Sequence, residues 1–344
     1  MELQHRLIRQ TIHIAVSKAM EDMQSNTKRS IRNLIDLGLL FAKSENQKWF
    51  YSAAKKVIAN PQNPYNSFAA RMLANVDNDT VKTVGLNLGY NSLTYGAEKL
   101  KKRQDDLGFP VPWFLIFEFC ESGPDFFQQM ERLIMEGREL GIYSYIACPR
   151  EKDDMKAICE IAERFEDCLF IIKATSDLIT EQTAEMLGKM RNAMISIQMS
   201  DKPLCCENNV NAFHLLKENR CLYGFHVSYN ESTAERVTAP GYIDAAIGLG
   251  NLFGVYIAEN GVSPICRNSV YAFACHTRGA NGRPLVTMEW DRDIQNISEK
   301  ILSGDSGGTL DLAQRIYGEY VKTKEMLAHS LLEILQKINP RTSC

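Results

Sequence analysis

From residue 113 to residue 302 the chain alternates, seven times over, between a short apolar run and a longer amphipathic stretch. The apolar runs are Trp113–Phe119, Tyr143–Cys148, Leu169–Thr175, Ala193–Met199, Tyr223–Tyr229, Leu252–Ala258 and Pro284–Trp290. They have strand length, are rich in β-branched and aromatic residues, and carry too few polar positions to leave one face in water. The stretches that follow them, Asp125–Leu140, Lys152–Glu166, Thr180–Met190, Asn208–Arg220, Pro240–Leu249, Cys266–Arg278 and Ile294–Leu302, place apolar residues at helical spacing. Thr180 with Glu181 reads as a helix start. Strands buried on both faces, each followed by a helix, require a parallel sheet with the helices outside it. Seven such units predict an α/β fold, a partial (β/α) TIM-type barrel rather than an open sheet. The tail Leu310–Ile338 is expected to be one long helix, with no eighth unit.

The first 108 residues have no strand signal and are expected to form an all-helical N-terminal region. Leu3, Leu7, Ile8, Ile12 and Val16 share one helical face. Ile31–Ala42 and Trp49–Ala59 follow, then the turn-rich Asn60–Pro64, then a long helical pattern over Val81–Gln104 that contains Gly85, Gly89 and Gly96. Gly108-Phe-Pro-Val-Pro112 marks the boundary. The expected division is therefore 1–108 helical region, 109–308 barrel and 309–344 C-terminal helix. The helical front holds 16 Lys/Arg against 10 Asp/Glu, although the whole chain has a formal net charge of −3. That balance gives no global attraction for nucleic acid. The most apolar window, Tyr242–Ala258, contains Asp244, Gly248, Gly250 and Gly254, so no transmembrane segment is expected. The N-terminus lacks a signal-peptide layout. A cytoplasmic protein is expected, whose 10 cysteines are thiols, metal ligands or core residues rather than a disulfide framework.

In a β/α barrel the ligand site lies at the carboxyl ends of the strands. The candidates there are Cys120; Cys148 with Glu151; Thr175 with Ser176; Ser196 with Gln198; His226 with Ser228; Glu259; and Glu289. They form no carboxylate cluster for a two-metal site and no evident nucleophile–base pair. Cys120 and Cys148 close adjacent strands and read as two buried small residues rather than a metal or redox pair. Cys205-Cys206, in the loop after the fourth strand, reads as incidental rather than as a reactive thiol pair, and Cys275-His276 is one ligand-like couple without partners.

Residues 112–290 resemble radical S-adenosylmethionine (radical SAM) enzymes, in particular a subgroup with a helical N-terminal extension. Gly141–Glu151 is similar to the second strand and its Gly-Gly-Glu turn. Asp167–Glu181 is similar to the third strand and its exit, and Ile195–Gln198 to the fourth-strand Ser-x-Glu. Gly224–Ser228, Tyr242–Asp244, Leu252–Tyr256 and Pro284–Trp290 follow the order of the remaining units. The resemblance implies S-adenosylmethionine and a [4Fe–4S] cluster, held by three cysteines spaced Cys-x3-Cys-x2-Cys after the first strand. This chain departs from that pattern. After the first strand it has Cys120-Glu-Ser-Gly-Pro-Asp125, and the motif occurs nowhere else. Pro149-Arg150 replaces the double glycine, Gln198 the fourth-strand Glu, and Thr175-Ser176 the Asn-Gly exit. Ser303–Gly308 lacks the cysteine of the family's last loop.

The expected function is therefore that of a radical SAM-like protein that has lost its cluster. It would act as a non-catalytic binding or partner subunit, pairing with an intact homologue through its terminal helices. The alternative is an enzyme, either a divergent radical SAM enzyme or a barrel repurposed around Glu151, His226 and Glu259. Gly304-Asp-Ser-Gly-Gly308 copies the nucleophile loop of trypsin-like proteases. Those are all-β proteins with their histidine far upstream, whereas His276 is thirty positions away in a β/α setting. The loop reads as a flexible turn.

Overall fold

The computed structural model describes residues 2–42, 45–60, 62–118, 124–202, 207–302 and 329–338. Seven strands, β1 Phe114–Glu118, β2 Ser144–Cys148, β3 Leu169–Ala174, β4 Ala193–Gln198, β5 Tyr223–Tyr229, β6 Phe253–Ala258 and β7 Val286–Glu289, pair in the order β1-β2-β3-β4-β5-β6-β7. Every pairing is parallel. Before them lie α1 Glu2–Phe41, α2 Glu45–Ala59, α3 Pro64–Asn75, α4 Asn78–Leu86, a π-helix over Asn87–Gly96 and α5 Ala97–Leu107. The strands alternate with α6 Pro124–Leu140, α7 Lys152–Arg164, α8 Glu181–Lys189, α9 Glu207–Glu218, α10 Ala234–Val237 with α11 Pro240–Gly248, and α12 Pro264–Thr277. After β7 come α13 Trp290–Leu302 and α14 Leu331–Ile338. All seven expected strands and their helices are present.

The sheet curls far enough to bring the helix after its last strand back to its first strand. Phe114, on the first strand, packs edge-on against Trp290, just past the last, with ring centroids 5.9 Å apart. Trp113 Nε1 donates to Ser298 Oγ on α13 at 3.0 Å. In a tilted barrel the axial level climbs along the strands, so the first residue of one strand can meet the end of the seventh. Helix α13 thus reaches the first strand through Trp290 and Ser298. The architecture is a partial β/α barrel.

Register separates the two faces of the sheet, because directly paired residues in parallel strands point to the same side. Tyr145, Phe170, Tyr223, Phe225, Tyr256 and Glu289 belong to the helix-facing set. Their rings meet the outer helices: Phe213 of α9 stacks on Tyr223, Tyr242 of α11 meets Phe225, and Phe273 of α12 meets Tyr256. This layer is fully buried and forms the main core. Residues of the other parity line the concave face.

The helices of 64–107 close the barrel at the amino ends of its strands. Val76 and Val84 join Leu169, Leu222 and Leu252, each just before or at the start of a strand, in a second core cluster. Polar side chains fasten this cap. Arg71 donates to the carbonyls of Ile247, Asn251 and Pro284 at 2.7–3.2 Å. Asn87 reaches the carbonyls of Glu166 and Cys168, and Asn91 that of Asp167.

Several local expectations change. The two apolar patterns within residues 1–42 merge into one helix, α1. Helix α3 occupies residues where no helix was expected; Asn63 caps it and Pro64 sits in its first turn, the placement proline favours. The 81–104 pattern widens into a π-helix that aims Asn87 and Asn91 at the same turn. Trp290 starts α13 rather than ending β7. The expected continuous helix over Leu310–Ile338 is broken: His329 and Ser330 are not helical, and α14 begins at Leu331. Residues 310–328 of that expectation lie outside the described residues. Leu331, Ile334 and Leu335 of α14 are buried, and the helix packs on α6, where Arg132 holds the His329 carbonyl.

Candidate functional site

The concave face carries a row of polar residues at the carboxyl ends of β1 to β5. Glu118 pairs with Cys148 across β1–β2, Lys173 with Ser196 across β3–β4, and Gln198 with His226 across β4–β5. Glu118, Cys148 and Lys173 are half-buried, Ser196 and His226 are buried, and Gln198 and Ser228 are exposed at the rim. Across β5–β6 and β6–β7 the same face becomes apolar. His226 pairs with Val255, Ser228 with Ile257, and Val255 with Met288.

Ser196 Oγ and His226 Nδ1 are hydrogen-bonded at 3.0 Å. The chain thus contains a nucleophile-type contact that linear spacing hid, since the two residues lie thirty positions apart on neighbouring strands. The histidine is a poor base. Burial, reinforced by the Lys173 ammonium and opposed by the Ser196 hydrogen bond, pushes its pKa down to about 3. It is a neutral hydrogen-bonding group at physiological pH. Burial likewise pushes the Cys148 thiol up to about 12; Lys173 pulls it down and Glu118 pulls it up, but neither outweighs desolvation. That thiol is protonated and a weak nucleophile.

Two residues of this set, Glu118 and Lys173, are absent from the strand-exit candidates. The signal was present: each is the lone charge inside an apolar strand run, and such a charge must face a ligand, a partner or water. Their parity then places them beside Cys148 and Ser196.

The other candidates go elsewhere. Glu151 is the N-cap of α7. Asp154 Oδ2 accepts from the amides of Arg150 and Glu151 at 2.8 and 3.1 Å, which engages the β2–α7 turn internally. Ser176 opens a single 3₁₀ turn over Ser176–Leu178. Glu259 is exposed and accepts from Asn230 Nδ2 at 2.9 Å. Glu289 does not line the concave face. It is 0% exposed on the helix side, accepts from the Tyr229 hydroxyl and the Arg292 amide, and is raised in pKa chiefly by burial. Its strand has the opposite parity there, which a position count at the strand exit does not reveal. Glu151, His226 and Glu259 are thus each engaged with different neighbours. Cys120, Cys205, Cys206 and Gly304–Gly308 lie outside the described residues. Cys275 accepts from Arg278 at 3.1 Å. Among the described residues no three of His, Cys, Asp and Glu gather to hold a metal ion, and no helix is long and apolar enough to cross a membrane.

No protein-family model matches the chain, and no curated protein does. Among solved structures it is similar to Streptococcus suis SuiB bound to the precursor peptide SuiA, at 10% identity over 69% of this chain and 68% of that one, with a TM-score of 0.45. It is also similar to SuiB bound to S-adenosylmethionine (13% identity, 59% and 53% covered, TM-score 0.40) and to SuiB alone (11%, 78% and 60%, 0.41).

Proposed function

We propose that this chain is a radical SAM-like partial barrel that works without an iron–sulfur cluster, as a non-catalytic binding or partner subunit whose binding site is the concave face. The observation that carries this reading is the connection from β1 to α6. It runs from Glu118 to Pro124 and so has five residues, with Cys120 its only cysteine. A Cys-x3-Cys-x2-Cys loop does not fit that length, and three thiolates are what a site-differentiated [4Fe–4S] cluster needs. The residues present therefore do not suit the cluster. The β2–α7 turn points the same way, because its amides already have Asp154 as their acceptor. For a protein partner, α1 presents Leu7 and Ile14, 57% and 63% exposed and two turns apart on one face. The buried free thiols Cys159, Cys168 and Cys221 suit a reducing compartment, and we place the protein's work in the cytoplasm.

The test is anaerobic reconstitution with iron and sulfide, followed by iron analysis and an absorption spectrum. Colourless protein that still melts cooperatively is the expected result. Retention of about four irons per chain with a brown charge-transfer band would establish the divergent radical SAM enzyme instead. Added S-adenosylmethionine is expected to leave the melting temperature unchanged, since only a ligand of the native state raises it.

A further inference from the structure

We propose that the concave face binds a ligand with one carboxylate and an apolar body, the carboxylate on Lys173 and the body along Val255, Ile257 and Met288. This rests on the binding role proposed above and specifies its ligand.

Lys173 is the starting point. It is half-buried on a strand whose other residues are Leu-Phe-Ile-Ile and Ala, and its register neighbour is Ser196. Among the described residues no carboxylate and no other acceptor meets its ammonium, and it has no further contact of that kind. A partly desolvated cation without a counter-charge is costly, and an anion brought to it recovers that cost. Among the described residues its nearest neighbours on this face, Cys148, Ser196 and His226, are uncharged. Ser196 and His226 satisfy each other at 3.0 Å, and Gln198 and Ser228 stand at the rim with polar side chains to offer. The one carboxylate in the row, Glu118, is two strands away, about 10 Å at the backbone.

One cation selects a monoanion. Phosphate is held by guanidinium forks, by several cations or by rows of backbone amides, and among the described residues none of these is bonded to Lys173 or its register neighbours. Glu118 adds repulsion against a second negative charge. The rest of the face defines the body of the ligand. Val255, Ile257 and Met288 point inward yet stay half-buried, which leaves apolar surface uncovered beside a single charged anchor. That composition is the usual one for a small-molecule site. Gly224 makes room on the same face for an aromatic ring. It has no side chain, and the Phe253 ring lies over it, so an ideal Cβ there would stand 2.6 Å from the ring.

The experiment is isothermal titration of the full-length protein with sodium hexanoate, with hexan-1-ol and inorganic phosphate as contrasts. Hexanoate is expected to bind, and both contrasts more weakly. Lys173→Met is expected to weaken hexanoate about tenfold or more, the scale of one charge-assisted hydrogen bond, and Lys173→Arg to keep most of the affinity. Lys173→Gln reads the same loss should Met disturb folding, which a circular-dichroism melt checks. Three outcomes overturn the proposal: no hexanoate binding by the parent protein up to tens of millimolar, equal binding of hexanol, or hexanoate binding untouched by Lys173→Met and Lys173→Gln. The cluster-free reading fails separately. Iron uptake would sink it while leaving a Lys173-dependent titration intact, whereas colourless protein that ignores hexanoate removes only the ligand assignment.

Discussion

His226 is 5% exposed, bonded to Ser196 and close enough to Lys173 to feel its charge. These neighbours, with Val255 across the sheet, give it no acidic partner that would favour the imidazolium. Its pKa is about 3 when folded and near the ordinary 6.5 when unfolded, so in that interval the unfolded chain binds the extra proton. Stability from this group is therefore present above pH 6.5 and is lost as the pH falls toward 3. Between pH 7 and pH 5 the loss is about 2 kcal/mol. Urea titrations at the two pH values, for the parent and for His226→Gln, isolate that part, and equal pH slopes would remove the assignment. Lys173→Met is expected to move the histidine's titration upward, visible in its imidazole NMR shifts. Of the site residues, Ser196, His226 and Cys148 were legible from the sequence because they are polar or thiol side chains inside or at the end of apolar strand runs. Glu289 ends its strand, yet its side chain belongs to the helix layer, because inward and outward positions alternate and a strand end fixes no parity.

At the scale of elements, β5 and β6 interlock through two glycines on opposite faces. Gly224 leaves room for Phe253 on the concave side, and Gly254 leaves room for Phe225 on the helix side. A Cβ at residue 224 would lie 2.3 Å from the Phe253 carbonyl oxygen, which is backbone and cannot rotate away. Gly224→Ala is therefore expected to destabilise by about 1–3 kcal/mol, toward the upper end, through overpacking. Chemical denaturation at unchanged m-value measures it; a change of a few tenths would mean the strands separate easily. The strands themselves were legible as apolar runs. Helix α3 was not, since Pro64-Tyr-Asn-Ser follows a turn signal and its face is completed by residues of the barrel. Neither was the π-helix, whose extra width serves two asparagines whose acceptors lie more than seventy positions downstream.

For the molecule as a whole, the helices before the barrel are part of its closure. Arg71 alone satisfies three carbonyls, from the end of α11, the turn before β6 and the turn before β7. Arg71→Met is expected to cost on the order of 2–4 kcal/mol, because it removes charge-assisted bonds and leaves their acceptors in a half-buried place. A chain beginning at residue 109 loses Val76 and Val84 from the second core cluster and bares Leu169, Leu222 and Leu252. It is expected to lack a cooperative melt, and a sharp transition near that of the full chain would show the barrel to be self-sufficient. The faces of α3 to α5 used in this closure are buried against the barrel, whereas on α1 Leu7, Ile14 and Leu40 are exposed among the described residues.

The seven-fold strand–helix alternation alone dictated a parallel sheet wrapped by helices, because an apolar strand buried on both sides has no other way to leave water. Periodicity is local, and it survives in the order of residues. What folding decided was everything that depends on curvature and parity: that Trp290, just past the last strand, meets Phe114 on the first, that Lys173 and Glu118 share the concave face with Cys148, and that Ser196 finds His226. Those contacts join residues on different strands, and the register that aligns them is set by the packing of the whole barrel rather than by any segment within it.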